Sequence, residues 1–195
     1  MTASSHDRSS AVLQEQFAAW IRPGLSILDV TYGQGGFWTW PHGCDLTASD
    51  INPAAPCPLH LDFRALALPD LSFDVVVFDP PFTSSGHSAW SDRYGICRVH
   101  GGPRNQKELA WWIDDGARGA CRVARRAVLV KLKACVESGQ VRDHWPYIRA
   151  VADRAGFRPV KEFTTFGHRP QPGGRTYTTT VRPTIYVMFQ REGAV

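Results

Sequence analysis

The four residues Asp79-Pro80-Pro81-Phe82 bring together a carboxylate, a backbone stiffened by consecutive prolines, and an aromatic ring. The carboxylate and the Pro80 carbonyl are both hydrogen-bond acceptors, and the prolines fix the chain that carries them. The Phe82 ring offers a face on which a flat molecule can stack. Such a group can grip a planar amine by its two hydrogens. Taken alone, the tetrapeptide also reads as a rigid exit from a strand with a capping Asp. Three further features bear on the choice. Gly33, Gly35 and Gly36 form a turn in which the backbone can approach a ligand closely. Asp50 stands where a carboxylate can accept both hydroxyls of a ribose. Asp62 is placed to meet an adenine amino group. Each is weak by itself; all four at the ends of expected strands read as one ligand site.

The elements that must position these residues can be read from hydrophobic pattern. Ala11 to Ile21 fits a helix with Val12, Leu13, Phe17 and Trp20 or Ile21 on one face, ended by Pro23-Gly24. Leu25 to Val30 is a short apolar strand leading into the glycine turn. A second strand fits Asp45 to Asp50, and a third lies near Leu59-His60-Leu61. Prolines 53, 56 and 58 leave no room for a regular helix between them. Phe73 to Phe78 is apolar and β-branched on both faces, as a central parallel strand requires. Gln106 to Val123 is helical in pattern, Ala127 to Leu132 is a fifth strand, and Arg142 to Ala155 is another helix. Strands near Val160 to Phe166 and Thr184 to Gln190 close the chain as an antiparallel pair. Strands alternating with helices predict an α/β fold: a Rossmann-like, doubly wound, mostly parallel sheet with an antiparallel C-terminal hairpin.

Length and composition bound the rest. The 195 residues fit a flexible tail over 1–10 and a single domain over 11–195. No run approaches the roughly 18 apolar residues of a membrane span, and no signal-peptide core is present, so a cytoplasmic protein is expected. The five cysteines are scattered, which predicts neither a disulfide nor a metal site. Cys97 and His100 are the nearest approach to a metal pair. The net charge of +4 does not by itself imply nucleic acid. Acidic residues gather toward the expected site (Asp45, Asp50, Asp62, Asp74, Asp79), while basic ones dominate from Arg93 onward. That second half offers either a face for phosphates or an ordinary solvated surface.

A dinucleotide site fits poorly, because Gly33-Gln34-Gly35-Gly36-Phe37-Trp38 lacks the third glycine of that fingerprint and Pro41 cuts short any following helix. On Leu28 to Gly36, Asp50, Asp62 and above all Asp79-Pro80-Pro81-Phe82, the sequence resembles the class I S-adenosylmethionine-dependent methyltransferases. Within them it resembles the amino-methyltransferases of DNA and RNA that act on adenine N6 or cytosine N4. The resemblance implies S-adenosylmethionine as cofactor, with Asp29, Thr31, Gly33, Gly35 and Gly36 about its methionine portion, Asp50 on its ribose and Asp62 on its adenine amine. It implies catalysis by Asp79, Pro80, Pro81 and Phe82. An exocyclic amine is a poor nucleophile because its lone pair is delocalised into the ring. Acceptors at Asp79 and the Pro80 carbonyl favour a pyramidal nitrogen with a localised pair, ready for in-line attack on the methyl group.

Residues 83–105 form an expected substrate loop in which Trp90, Arg93, Tyr94, Arg98, His100 and Arg104 mix aromatics with positive charge. That composition suits a flipped or single-stranded base, and equally a lid over the cofactor. His168, Arg169 and Arg175 are further candidate substrate contacts. Lys131 can reach the mouth of the site or serve as a paired edge lysine; Trp111 and Trp112 are expected in the core. Little chain remains for target recognition. A short degenerate reader, a partner subunit or an RNA substrate would each account for that. A small amine-bearing substrate and a non-catalytic cofactor-binding subunit are the alternatives to a nucleobase enzyme, with DNA the first substrate to consider.

Overall fold

The architecture comes from a computed structural model that describes residues 5–82, 84, 102–137, 140–166 and 183–194. Its strands are β1 (Ser26–Asp29), β2 (Asp45–Ala48), β3 (Phe73–Phe78), β4 (Ala124–Lys133), β5 (Cys135–Glu137), β6 (Gln140–Arg142), β7 (Phe157–Phe166) and β8 (Pro183–Arg191). The helices are α1 (Ser5–Gln16), α2 (Gln106–Val123) and α3 (Trp145–Arg154). Six strands form one sheet in the order β2-β1-β3-β4-β8-β7, while β5 and β6 pair as a separate small hairpin. The first four sheet strands run parallel, and β8 and β7 add antiparallel beyond β4. This is the expected mixed α/β sheet. The outermost strand, β7, shifts register between Pro159 and Lys161. Among the described residues no helix is long and apolar enough to cross a membrane.

The strand pleat divides the core in two. Val76 and Phe78 of β3, Val128, Val130 and Leu132 of β4, and Val187 and Phe189 of β8 pack with α2 and α3. Their neighbours Val75, Val77, Ala127, Leu129, Tyr186 and Met188 pack with Val12, Leu13 and Phe17 from the α1 side. Alternation therefore carries the side chains of Asp79 and Lys131 toward the α1 side, in step with Val77 and Leu129. The helix α2 is built as its sequence directs. Asn105 caps it by accepting from the Glu108 amide at 2.9 Å, and Leu109, Trp112, Ile113, Gly116, Ala117 and Ala120 make the buried stripe. Each fully buried Leu or Ile contributes about 1.5–3 kcal/mol, against about 0.3–0.5 for an exposed pair such as Arg118–Asp114. The stripe, not the surface pairs, holds α2 in place.

Several expectations are corrected. The first helix begins at Ser5, inside the expected tail, and continues past Gln16 only as turns that still bury Phe17 and Ile21. Tertiary partners outweigh the polar composition there: Ser9 Oγ lies 3.2 Å from the Tyr186 hydroxyl, and Thr39 donates to Ser10 Oγ at 2.8 Å. The third strand is reduced to one parallel bridge, Ser49 with Leu59, because the proline-rich approach supplies turns instead. The expected helix at Arg142 begins at Trp145, after the unforeseen β5–β6 hairpin. Trp112 is buried as expected, but Trp111 points outward at 55 % exposure.

At Gly116 a Cβ would stand 2.5 Å from Phe78 Cζ and 2.7 Å from Phe63 Cδ2. The missing side chain is what lets α2 lie against the two rings. In an open helix, Gly→Ala stabilises by up to about 1 kcal/mol. Here Gly116→Ala is expected to destabilise instead, by about 1–3 kcal/mol in denaturant unfolding, since packed aromatic rings must move.

Candidate functional site

At the carboxyl end of β1, Asp29 is 1 % exposed. A buried carboxylate is tolerable only when its oxygens are hydrogen-bonded. Trp38 Nε1 donates to Oδ2 at 2.7 Å, and the Thr31 amide donates to Oδ1 at 2.9 Å. Burial pushes the Asp29 carboxyl up to about 7, with the nearby Asp79 and Asp50 charges adding to it and the Trp38 and Thr31 bonds opposing it. Thr31 looks both ways. Its hydroxyl accepts the Asp79 amide at 2.7 Å and lies 3.5 Å from Asp29 Oδ1. The end of β1 is thereby tied to the first residue of Asp79-Pro80-Pro81-Phe82.

The glycine turn is held from the β2 side. Asp50 accepts the Gly33 amide at 2.7 Å and the Asn52 amide at 2.8 Å, one on each oxygen. Burial pushes its carboxyl above the usual range, against those two bonds and the attraction of His60. A carboxylate offers about four acceptor positions, so one amide per oxygen leaves room for a diol. The Tyr32 amide donates to the Ser49 carbonyl at 3.0 Å, which closes the turn against β2. At Gly35 the backbone adopts φ +73°, and a Cβ would meet Tyr32 Oη at 2.7 Å, so any side chain there is strained and must push the Tyr32 ring aside.

Asp79 itself, about a quarter exposed, receives Lys131 Nζ on Oδ2 at 2.7 Å. The same ammonium lies 4.9 Å from the Phe37 ring centroid. Pro80 is buried, while Phe82 is exposed at 36 %. The site thus pairs one anchored carboxylate with one cation beside an open aromatic face.

Of the expected residues, Asp29, Thr31 and Asp79 are joined by one set of hydrogen bonds and Gly33 and Asp50 by another, at the carboxyl ends of β1, β2 and β3. Asp62 differs. With no strand behind it, it caps a single turn of 3-10 helix at Phe63–Ala65 and takes Arg64 in a forked ion pair at 2.6–3.0 Å. Arg64 in turn lies 4.0 Å over the Trp112 ring. An adenine amine would have to share Asp62 with this stacked arginine. Asp45 and Asp74 lie away from the site, at the starting ends of their strands, where Asp74 binds Ser26 and Arg125. Trp90, Arg93, Tyr94, Arg98, His168 and Arg169 lie outside the described residues, as do Cys97, His100 and Arg175. Trp38 was not foreseen; the signal available was that a half-buried indole N–H usually finds an acceptor. Lys131 proves to be paired, and with Asp79.

Two outcomes are expected. Thr31→Val removes the acceptor of the Asp79 amide and should cost about 1–3 kcal/mol of stability, whereas Thr31→Ser should restore it. For Asp29 the folded-state value lies above the unfolded one, so its contribution is fullest below about pH 4 and is lost as pH rises toward about 7. Unfolding curves of the protein and of Asp29→Asn across that window should show the difference between them falling with pH, then level above it. A flat difference throughout would contradict the buried-acid assignment.

No family model matches the chain, and no curated protein matches it in sequence. Solved structures do match in fold. Magnesium protoporphyrin IX methyltransferase (ChlM) from Synechocystis PCC 6803, solved with bound SAH, aligns at TM-score 0.55 and 16 % identity over 95 % of this chain and 82 % of that one. A SAM-dependent methyltransferase from Methanosarcina mazei aligns at 0.54 and 11 % over 91 % and 97 %. The [4+2]-cyclase SpnF aligns at 0.57 and 10 % over 95 % and 81 %. The chain has the class I methyltransferase fold. Identities this low speak for shared architecture alone, and the cyclase among the matches shows why the reaction must be argued from the site.

Proposed function

We propose that this chain binds S-adenosylmethionine and transfers its methyl group to an exocyclic amine of a nucleobase, adenine or cytosine, in DNA first and RNA second. The observation that carries this reading is the placement of Asp79-Pro80-Pro81-Phe82. The tetrapeptide leaves the end of β3, beside the glycine turn, with its first amide fastened to Thr31.

The residues present suit the cofactor. Asp50 retains acceptor positions for a ribose diol, and the Gly33 to Gly36 turn presents bare backbone to the methionine portion. The buried acid at Asp29 lies beneath that turn, where a cationic ligand would favour its ionised form. No phosphate-binding helix terminus follows β1, in keeping with a ligand that lacks phosphates. Once bound, S-adenosylmethionine supplies an electrophilic methyl group on a sulfonium.

The chain's own residues do the rest. The Asp79 carboxylate and the Pro80 carbonyl accept the two hydrogens of the target amine and localise its lone pair. Phe82 stacks on the base and sets its plane. Asp79 need not be a strong base, because the extra proton can leave after transfer. Lys131 holds one Asp79 oxygen and so fixes the rotamer that presents the other. A partner subunit would supply target recognition if the chain's own loops do not.

The test is tritiated-methyl transfer from S-adenosylmethionine into duplex DNA, single-stranded DNA, total RNA and a metabolite extract. Label is expected in a nucleic acid, and Asp79→Ala should reduce it at least a hundredfold while calorimetric binding of S-adenosylhomocysteine persists. Label confined to the metabolite extract would replace the nucleobase with a small amine. Cofactor binding without label anywhere would make the chain a cofactor-binding subunit.

A further inference from the structure

Asp79 is not alone in facing the substrate position. Lys131 stands two strand residues beyond Leu129, and its side chain emerges on the same side of the sheet as Asp79 because β3 and β4 pair in register, Val77 with Leu129. Its ammonium sits 2.7 Å from Asp79 Oδ2, and the two side chains are 21 % and 24 % exposed. This pair is reachable from outside, whereas Asp29 beneath it is not. On the antiparallel side, Lys131 is flanked by its register partner Tyr186, which is buried and bound to Ser9. The Phe37 ring supports the ammonium from a third direction. The lysine head is thus confined beside the carboxylate, and the two present an acceptor and a donor next to each other.

We propose that Lys131 is a specificity residue that donates to the ring nitrogen adjoining the target amine, so that the site selects amines on an amidine edge, N=C–NH₂. This rests on the nucleobase reading above and deepens it. Adenine and cytosine both carry that edge: a donor amine on one carbon and an acceptor nitrogen bonded to the same carbon. Asp79 takes the amine hydrogen and Lys131 addresses the acceptor beside it. An ammonium can donate in three directions, so contact with Asp79 is compatible with a bond to the substrate. An aliphatic amine or an aniline would leave the lysine without a partner on the substrate. A side-chain amide offers a similar edge but no ring for Phe82.

The role is recognition, and chemistry itself says so. A donor bond to the ring nitrogen draws the amine lone pair further into the ring, which slows attack on an electrophile. Asp79 and the Pro80 carbonyl must act against that pull. Through this bond Lys131 lowers KM and does not raise kcat, separately from the hold it keeps on Asp79.

The experiment uses the full-length protein and oligonucleotides in which the methylated base is replaced by its carbon isostere, 1-deazaadenine for adenine or 3-deazacytosine for cytosine. Each keeps the amine and removes the acceptor. With the wild type, the isostere should raise KM about ten- to hundredfold with kcat unchanged or higher. Lys131→Met should show a raised KM on the natural base and no further penalty on the isostere; Lys131→Arg should recover part of the discrimination. Equal KM for base and isostere in the wild type would overturn the proposal, and that measurement needs no variant to fold. So would Lys131→Met retaining the full isostere penalty, since losing a lysine that only steadies Asp79 would lower turnover on both substrates alike. If the wild type methylates neither base in any nucleic acid, the nucleobase reading itself fails and this inference falls with it. Methylation of the bases without discrimination leaves that reading intact and removes only the role of Lys131.

Discussion

The demand that Asp29 be satisfied away from water organises the whole functional end of the sheet. An isolated buried carboxylate would cost several kcal/mol, so the chain must deliver donors to both of its oxygens. Thr31 supplies one from its backbone, which bends the chain immediately after β1. Trp38 supplies the other, which forces the segment between them to double back over the strand end. Little but glycine can make so tight a return, and Gly33 and Gly35 both sit at positive φ. The same bend turns the Thr31 hydroxyl toward the Asp79 amide. One desolvated group therefore shapes the ligand turn and registers the reactive tetrapeptide against it.

Much of this is legible in the sequence, and the exceptions have physical causes. The bounds Phe73–Phe78 agree between sequence and structure, because a run centred on three consecutive valines between aromatic residues suits a central parallel strand. The bounds of α2 are equally plain in the helical pattern from Gln106 to Val123, and the structure adds the Asn105 cap at its start. Local signals failed where distant partners decide. Ser9 and Ser10 look like tail residues until Tyr186 and Thr39 are brought to them across the fold. The strand expected at Leu59–Leu61 had the apolar residues but not the approach, and a single bridge was all the prolines permitted. At the site, Gly33, Asp50 and Asp79 could be named from their place at expected strand ends, and Asp29 and Thr31 from the family resemblance. The pairing of Lys131 could not, because it depends on the register between β3 and β4, and Asp62 was misplaced because its strand was.

The division of labour between the two faces of the sheet is equally physical. One face receives α2 and α3 over the larger apolar cluster, which backs the sheet. The other carries α1, the Asp29 network and the Asp79–Lys131 pair. A reactive pair needs fixed distances, and distances are fixed best when they rise from adjacent strands of a backed sheet. Fold and reaction are then separable: the architecture is shared with proteins of unlike chemistry, and what distinguishes this chain stands on a few strand ends.

The outer border of the sheet has a consequence of its own. Open sheets end in rows of unpaired amides and carbonyls that can recruit a strand from another molecule. In β7 that row is interrupted: Pro159 has no amide to give, and the register slips before Lys161. An incoming strand would lose its alignment at that point and meet the charges of Arg158 and Lys161 on either side. At the opposite border, β2 is four residues long and is followed by turns. The slip divides the β7 rim and the shortness of β2 limits the other, so an incoming strand would meet only short uninterrupted stretches at either border.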